Sequence, residues 1–89
     1  MSKQSLVLSP ERLERALVRV RRERAAQDAK WGEQNHTFDF WLAILMEEVG
    51  ELAKAIVERK PAEIDTELTQ VAAVAVSMME CGDRKGFDR

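Results

Sequence analysis

Three carboxylates, Glu47, Glu48 and Glu51, stand in the run Leu45-Met46-Glu47-Glu48-Val49-Gly50-Glu51-Leu52. On a helix, at about 100° per residue, they fall within an arc of about 100°, with Glu51 between the other two. The apolar side chains Trp41, Leu42, Leu45, Val49, Leu52 and Ile56 centre on the opposite side. Glu48 shares a column with Ile44 and Leu52, which puts it at the edge of that apolar stripe. A carboxylate there is partly desolvated and repelled by its neighbours. A hard divalent cation with oxygen ligands would relieve both. Sixteen residues after Glu51, Glu67-Leu68-Thr69-Gln70 places Glu67 and Gln70 one turn apart on a second helix. An antiparallel hairpin would bring Glu67 across from Glu48 and Glu51. The only histidine, His36, belongs to no Glu-x-x-His motif, which argues against a di-iron site. The only cysteine, Cys81, excludes a multi-cysteine zinc site, so oxygen ligation points to Mg²⁺ or Mn²⁺. The competing reading is a solvated acidic face, paired with Lys54 at i+3 from Glu51.

Glu47-Glu48-x-x-Glu51 followed by Glu67-x-x-Gln70 resembles the EExxE…ExxD signature of the all-α nucleoside triphosphate pyrophosphohydrolases, the MazG-like group. The segment Lys30-Trp31-Gly32-Glu33-Gln34-Asn35-His36 is similar to that family's entry to the nucleotide pocket, and the resemblance covers roughly Glu11 to Arg84. It implies metal-assisted hydrolysis between the α- and β-phosphates of a nucleoside triphosphate, giving a monophosphate and pyrophosphate. It implies metal ligation by Glu48, Glu51, Glu67 and Gln70, a general-base role for Glu47, and stacking of the base on Trp31. The departure is Gln70, where the family pattern has Asp. Gln keeps an oxygen for a metal but removes one negative charge, and Glu63, at i−4 from Glu67, lies on the same face. Lys30, Lys54 and Arg22 are candidates for phosphate contact by their charge. His36 reads first as a loop-fixing residue and second as a nucleotide contact. The alternative function is a non-catalytic helical oligomer that binds nucleotide or a protein partner, with Gln70 marking a lost activity.

No P-loop and no Rossmann glycine fingerprint is present, so phosphate recognition must go through metal and side chains. The 89 residues allow one domain, and 45% hydrophobic with 34% charged residues reads as globular. Net charge is −2, divided as +4 over residues 1–30 and −6 over residues 31–89. The basic segment reads as the solvated face of an amphipathic helix, or as attraction toward a nearby nucleotide, and nucleic acid is not expected as a partner. The longest apolar stretch, Val71 to Met79, is too short to span a bilayer, and residues 1–8 lack the features of a signal peptide, so a cytoplasmic protein is expected.

The chain divides into three helices. Ser9-Pro10-Glu11 marks a start, with Ser9 as N-cap, and Leu13, Ala16, Leu17 and Val20 supply an apolar stripe to about Asp28. After a loop over Lys30–Thr37, Thr37 caps a second helix running to about Arg59. Pro61 opens a third helix ending near Cys81, with Gly82 as its C-terminal signal. That helix is apolar nearly all round from Val71 to Met79, more than a three-helix monomer can cover. The expected architecture is therefore all-α: a short three-helix bundle, one domain over residues 1–89 with flexible ends at 1–8 and 83–89, completed as a homodimer or homotetramer.

Overall fold

The computed structural model describes residues 10–87. They form three α-helices and no strand: α1 (Pro10–Trp31), α2 (Phe38–Val57) and α3 (Pro61–Lys85). The expected Ser9 cap lies outside the described residues, whereas Pro10 does open α1 with Glu11 in its first turn. Thr37 caps α2 as expected, its Oγ1 accepting from the Phe40 N–H at 3.3 Å. Pro61 opens α3.

α3 is the centre of the fold. It packs against both α1 and α2, whose backbones stay apart from each other. The core sits between α2 and α3, where Trp41, Val74 and Cys81 are buried with Phe38, Ile44, Leu45 and Met78 against them. The inward face of α2 is rotated from the sequence expectation. Trp41, Ile44, Leu45, Glu48, Leu52 and Ala55 face in, and Leu42 and Ile56 are about half exposed. Glu48 thus stands on the packed face itself, flanked by Ile44 and Leu52.

α1 contributes no fully buried residue. Of its expected stripe, Ala16 and Val20 are half-buried and Leu13 and Leu17 are exposed. The inward stripe continues instead through Glu23, Arg24 and Gln27. The face α1 turns toward α3 is therefore apolar in its first half and polar in its second.

The helix ends differ from expectation for identifiable reasons. α1 continues through Trp31 and stops at Gly32, whose φ of 73° is easy only for glycine, with its N–H bonded to the Asp28 carbonyl at 2.8 Å. α2 stops at Val57, because Arg59 takes a left-handed φ of 57° and the Lys60 N–H returns to the Ala55 carbonyl at 3.1 Å. α3 does not stop at Gly82. That glycine is buried within the helix, where a Cβ would run into the Phe87 ring, which itself stacks edge-on to Phe38 at 5.1 Å. Residues 83–85, expected in a flexible end, form the last turn of α3. Arg84 and Lys85 complement the helix dipole there, and Gly86 closes it at φ 79°.

Candidate functional site

Packing α1 and α2 on the same helix with their backbones apart leaves a cleft of about 620 Å³, with α3 as its floor. The floor is one face of α3, the series Gln70, Val74, Ser77, Glu80 and Arg84. At about 1.5 Å per residue it runs about 21 Å. Trp41, Ile44 and Glu48 form the α2 wall, and α1 supplies Glu23, Arg24, Gln27, Asp28, Lys30 and Trp31.

At one end lie the carboxylates. Glu48, Glu51 and Glu67 each offer an oxygen, and the three oxygens lie within 4.8 Å of one another. Glu48 Oε2 and Glu67 Oε2 are buried without a hydrogen-bond partner. Burial, then Glu51, Glu67 and Glu47 in turn, pushes the Glu48 carboxyl above the usual carboxylate range. Burial and the adjoining Glu51 do the same to Glu67. Among the described residues Lys54 forms no ion pair, so no Glu51–Lys54 contact balances the cluster. The donor set fits a hard divalent cation.

The middle of the cleft holds a network that the charge pattern did not single out. Arg24 donates to both Glu80 oxygens, at 2.7 and 2.9 Å, to Asp28 Oδ1 at 3.0 Å and to Gln27 Oε1 at 3.0 Å. Ser77 Oγ donates to the same Gln27 oxygen at 3.4 Å. The Arg24 hydrogen bond holds Glu80 below the ordinary carboxylate range, and Glu80 raises Arg24 in return. At the far end Arg84 fixes the loop after α1. It donates to Asn35 Oδ1 and to the Gln34 carbonyl, both at 3.0 Å, and lies 3.4 Å from Glu33 Oε2.

Of the residues singled out by sequence, Glu48, Gln70, Lys30 and Trp31 line the cleft. Trp31 is 59% exposed at its mouth, with Lys30 Nζ 4.6 Å from the ring centroid. Glu51 and Glu67 meet Glu48 just outside it, while Glu47 is exposed and outside the close cluster. His36 lies tilted against Phe40 at 4.7 Å and edge-on to Trp41 at 4.9 Å, packed on the start of α2. Neither Lys54 nor Arg22 lines the cleft; Arg22 lies on the side of α1 that carries Arg15 and Arg19. Arg24, Gln27, Ser77 and Glu80 were missed. In the sequence they show only as polar residues where the α1 stripe would continue from Glu23 and as a serine within the apolar run of α3, seven residues after Gln70.

The profile of the MazG nucleotide pyrophosphohydrolase domain matches residues 36–88, more than half of the chain, and takes in both acidic helices. This chain belongs to the MazG family. MazG domains are nucleotide pyrophosphohydrolases, hydrolases that are generally metal-dependent. No curated protein and no solved structure matches the chain. Within this MazG domain the carboxylates and the α3 floor lie inside the matched span, whereas the α1 wall, with Arg24, Gln27 and Trp31, lies upstream of it.

Proposed function

We propose that this MazG domain hydrolyses nucleoside triphosphates to the monophosphate and pyrophosphate, with Mg²⁺ or Mn²⁺ held by Glu48, Glu51 and Glu67 and completed by the Gln70 amide oxygen. The observation that carries this reading is the pair of buried, unpartnered carboxylate oxygens on Glu48 and Glu67, converging with Glu51 beside the cleft. Charge supports it. Among the described residues lining the cleft, five acids face three bases, and Arg24 and Arg84 are committed to Glu80 and Glu33. A polyanion entering a cleft of that sign needs a cation.

The bound metal would supply charge neutralisation of the phosphates and a lowered pKa for water. The remaining work falls to side chains. Glu48, on both the cleft and the cluster, would hold the cation where the phosphate end meets the floor. Glu47, exposed and in no ion pair among the described residues, stands next to it as the candidate general base that takes the proton of the attacking water. Trp31 offers a stacking face at the mouth, which tolerates any base, and Lys30 beside it is the cleft-lining cation outside the ion pairs.

The working form we infer is a cytoplasmic homodimer or homotetramer. Leu68, Ala75 and Met79 on α3, and Leu42, Met46 and Ile56 on α2, are exposed apolar positions spaced along single helix faces. The unpaired Cys81 suits a reducing compartment, and no helix among the described residues is long and apolar enough to cross a membrane. The deciding experiment follows pyrophosphate release from a panel of nucleoside triphosphates, with Mg²⁺, with Mn²⁺ and with chelator. Metal-dependent release with monophosphate as co-product is expected. Nucleotide binding without turnover would identify the non-catalytic alternative.

A further inference from the structure

The Arg24 network fixes more than its own members. Guanidinium nitrogens only donate, so the Gln27 atom 3.0 Å from Arg24 Nη1 must be the carbonyl oxygen, which sets the orientation of the amide. The Ser77 hydroxyl approaches the same oxygen at 3.4 Å. With its oxygen committed to Arg24 and approached by Ser77, what Gln27 offers the cleft is its NH₂ group, a pair of donors. That nitrogen has no protein partner among the described residues and is not enclosed, and Gln27 lines the cleft. Free glutamine is indifferent between donor and acceptor because its amide can turn over. Here, turning it over would set NH₂ against a guanidinium that is 14% exposed and anchored at Glu80.

Position decides what the donor meets. Ser77 lies two turns along α3 from Gln70, about 10 Å from the carboxylate end. With phosphates at that end, the mid-cleft is where the edge of a nucleobase falls, and Trp31 stands beyond it at the mouth.

We propose that Gln27, held by the Arg24–Glu80 pair and Ser77, reads an exocyclic oxygen on the nucleobase, so that the cleft selects 4-oxo pyrimidines and 6-oxo purines over their amino counterparts. This rests on the reading of the cleft as a nucleotide site and adds a base class to it. An oxo group accepts from the Gln27 NH₂, whereas an amino group at the same position presents donor to donor and leaves both unsatisfied. Arg24 acts through Gln27 and is a positioning residue. Both residues lie upstream of the span matched by the family profile.

Two pairs matched in base size test it: UTP against CTP, and ITP against ATP, each exchanging an exocyclic oxo group beside a ring N–H for an amino group beside a bare ring nitrogen, with Gln27→Met isolating the part of the difference that Gln27 reads. Binding of their non-hydrolysable α,β-imido analogues with Mn²⁺ is measured by calorimetry, alongside KM for the triphosphates. The oxo member should bind about tenfold tighter in whichever pair the cleft admits. Gln27→Met, of similar length but without a donor, should shrink that ratio to about twofold. Arg24→Lys keeps the charge but cannot hold Glu80 and Gln27 together, and should shrink the ratio in the same way. Equal affinities within each pair, or a ratio untouched by Gln27→Met, would overturn the base-reading role and leave pyrophosphohydrolysis standing. Absence of both binding and turnover for all four triphosphates would overturn the nucleotide reading and this inference with it.

Discussion

Replacing Glu48 by Gln should make the metal-free protein more stable and the metal-loaded protein less so. Glu48 is repelled by Glu51, Glu67 and Glu47, in that order. Like charges at helix-neighbour distances cost about 0.2–0.5 kcal/mol per pair, so neutralising Glu48 relieves about 1 kcal/mol after allowance for the exposed Glu47 and Glu51. For a domain of this size that is a rise in melting temperature of about 4–8 °C. The amide fits the same space between Ile44 and Leu52, so no cavity opposes the gain. Metal reverses the order. A cation at a hundred times its Kd adds about 2.7 kcal/mol to the wild type, while the variant has lost one of three charged ligands. Thermal melts in chelator and across a Mn²⁺ titration should therefore cross, the variant melting higher without metal and lower with it. A variant that melts lower in chelator would make Glu48 a structural ion-pair residue. An undiminished Mn²⁺ shift would move the metal elsewhere.

The pH dependence has a definite sign. Glu48 and Glu67 are raised, so the stability they allow is full below the ordinary carboxylate value of about 4.5 and is lost as pH rises through their folded values. Glu80 is lowered by Arg24, so its contribution is present above about 4.5 and is lost as pH falls through its folded value. Metal-free melting temperature should peak a little above pH 4.5 and decline toward pH 7, and a steady climb over that range would contradict the assignments. Arg59→Gly should stabilise by about 0.5–1 kcal/mol, read by urea denaturation, because it places glycine at the left-handed φ of 57°. Gln70→Asp should tighten Mn²⁺ binding in calorimetry if the Gln70 amide oxygen is a ligand; unchanged affinity with a lower melting temperature would instead place Gln70 in a phosphate-facing or packing role.

Much of the helix plan was written in local signals. Pro10, Thr37 and Pro61 start helices by chemistry confined to one or two residues, so each was legible. The ends depended on tertiary contacts. Gly82 looks like a stop signal until Phe87 folds back over it, and Arg59 adopts a conformation whose usual occupant is glycine. The three-carboxylate cluster was readable because helical spacing alone puts Glu48 and Glu51 together and the hairpin adds Glu67. Rotation of α2 was not, since Leu42 and Ile56 are as apolar as Ile44 and Ala55, and only packing on α3 selects between those faces. The Arg24–Gln27 wall escaped for a related reason. A polar stretch on a helix reads as solvated unless something shows that its stripe continues the buried one.

α1 rests on α3 alone, has no fully buried residue and is held along the cleft chiefly by Arg24 on Glu80. Helices anchored so lightly open locally far more often than the whole domain unfolds. The width of the cleft therefore rests on side-chain contacts and not on a packed seam between α1 and α2. A ligand long enough to touch both walls would act as the missing third seam of the bundle, joining two helices that the polypeptide leaves apart. Binding would then register first as slowed amide exchange along the second half of α1, remote from the carboxylates where the chemistry is done. Occupancy and completion of the fold become a single equilibrium.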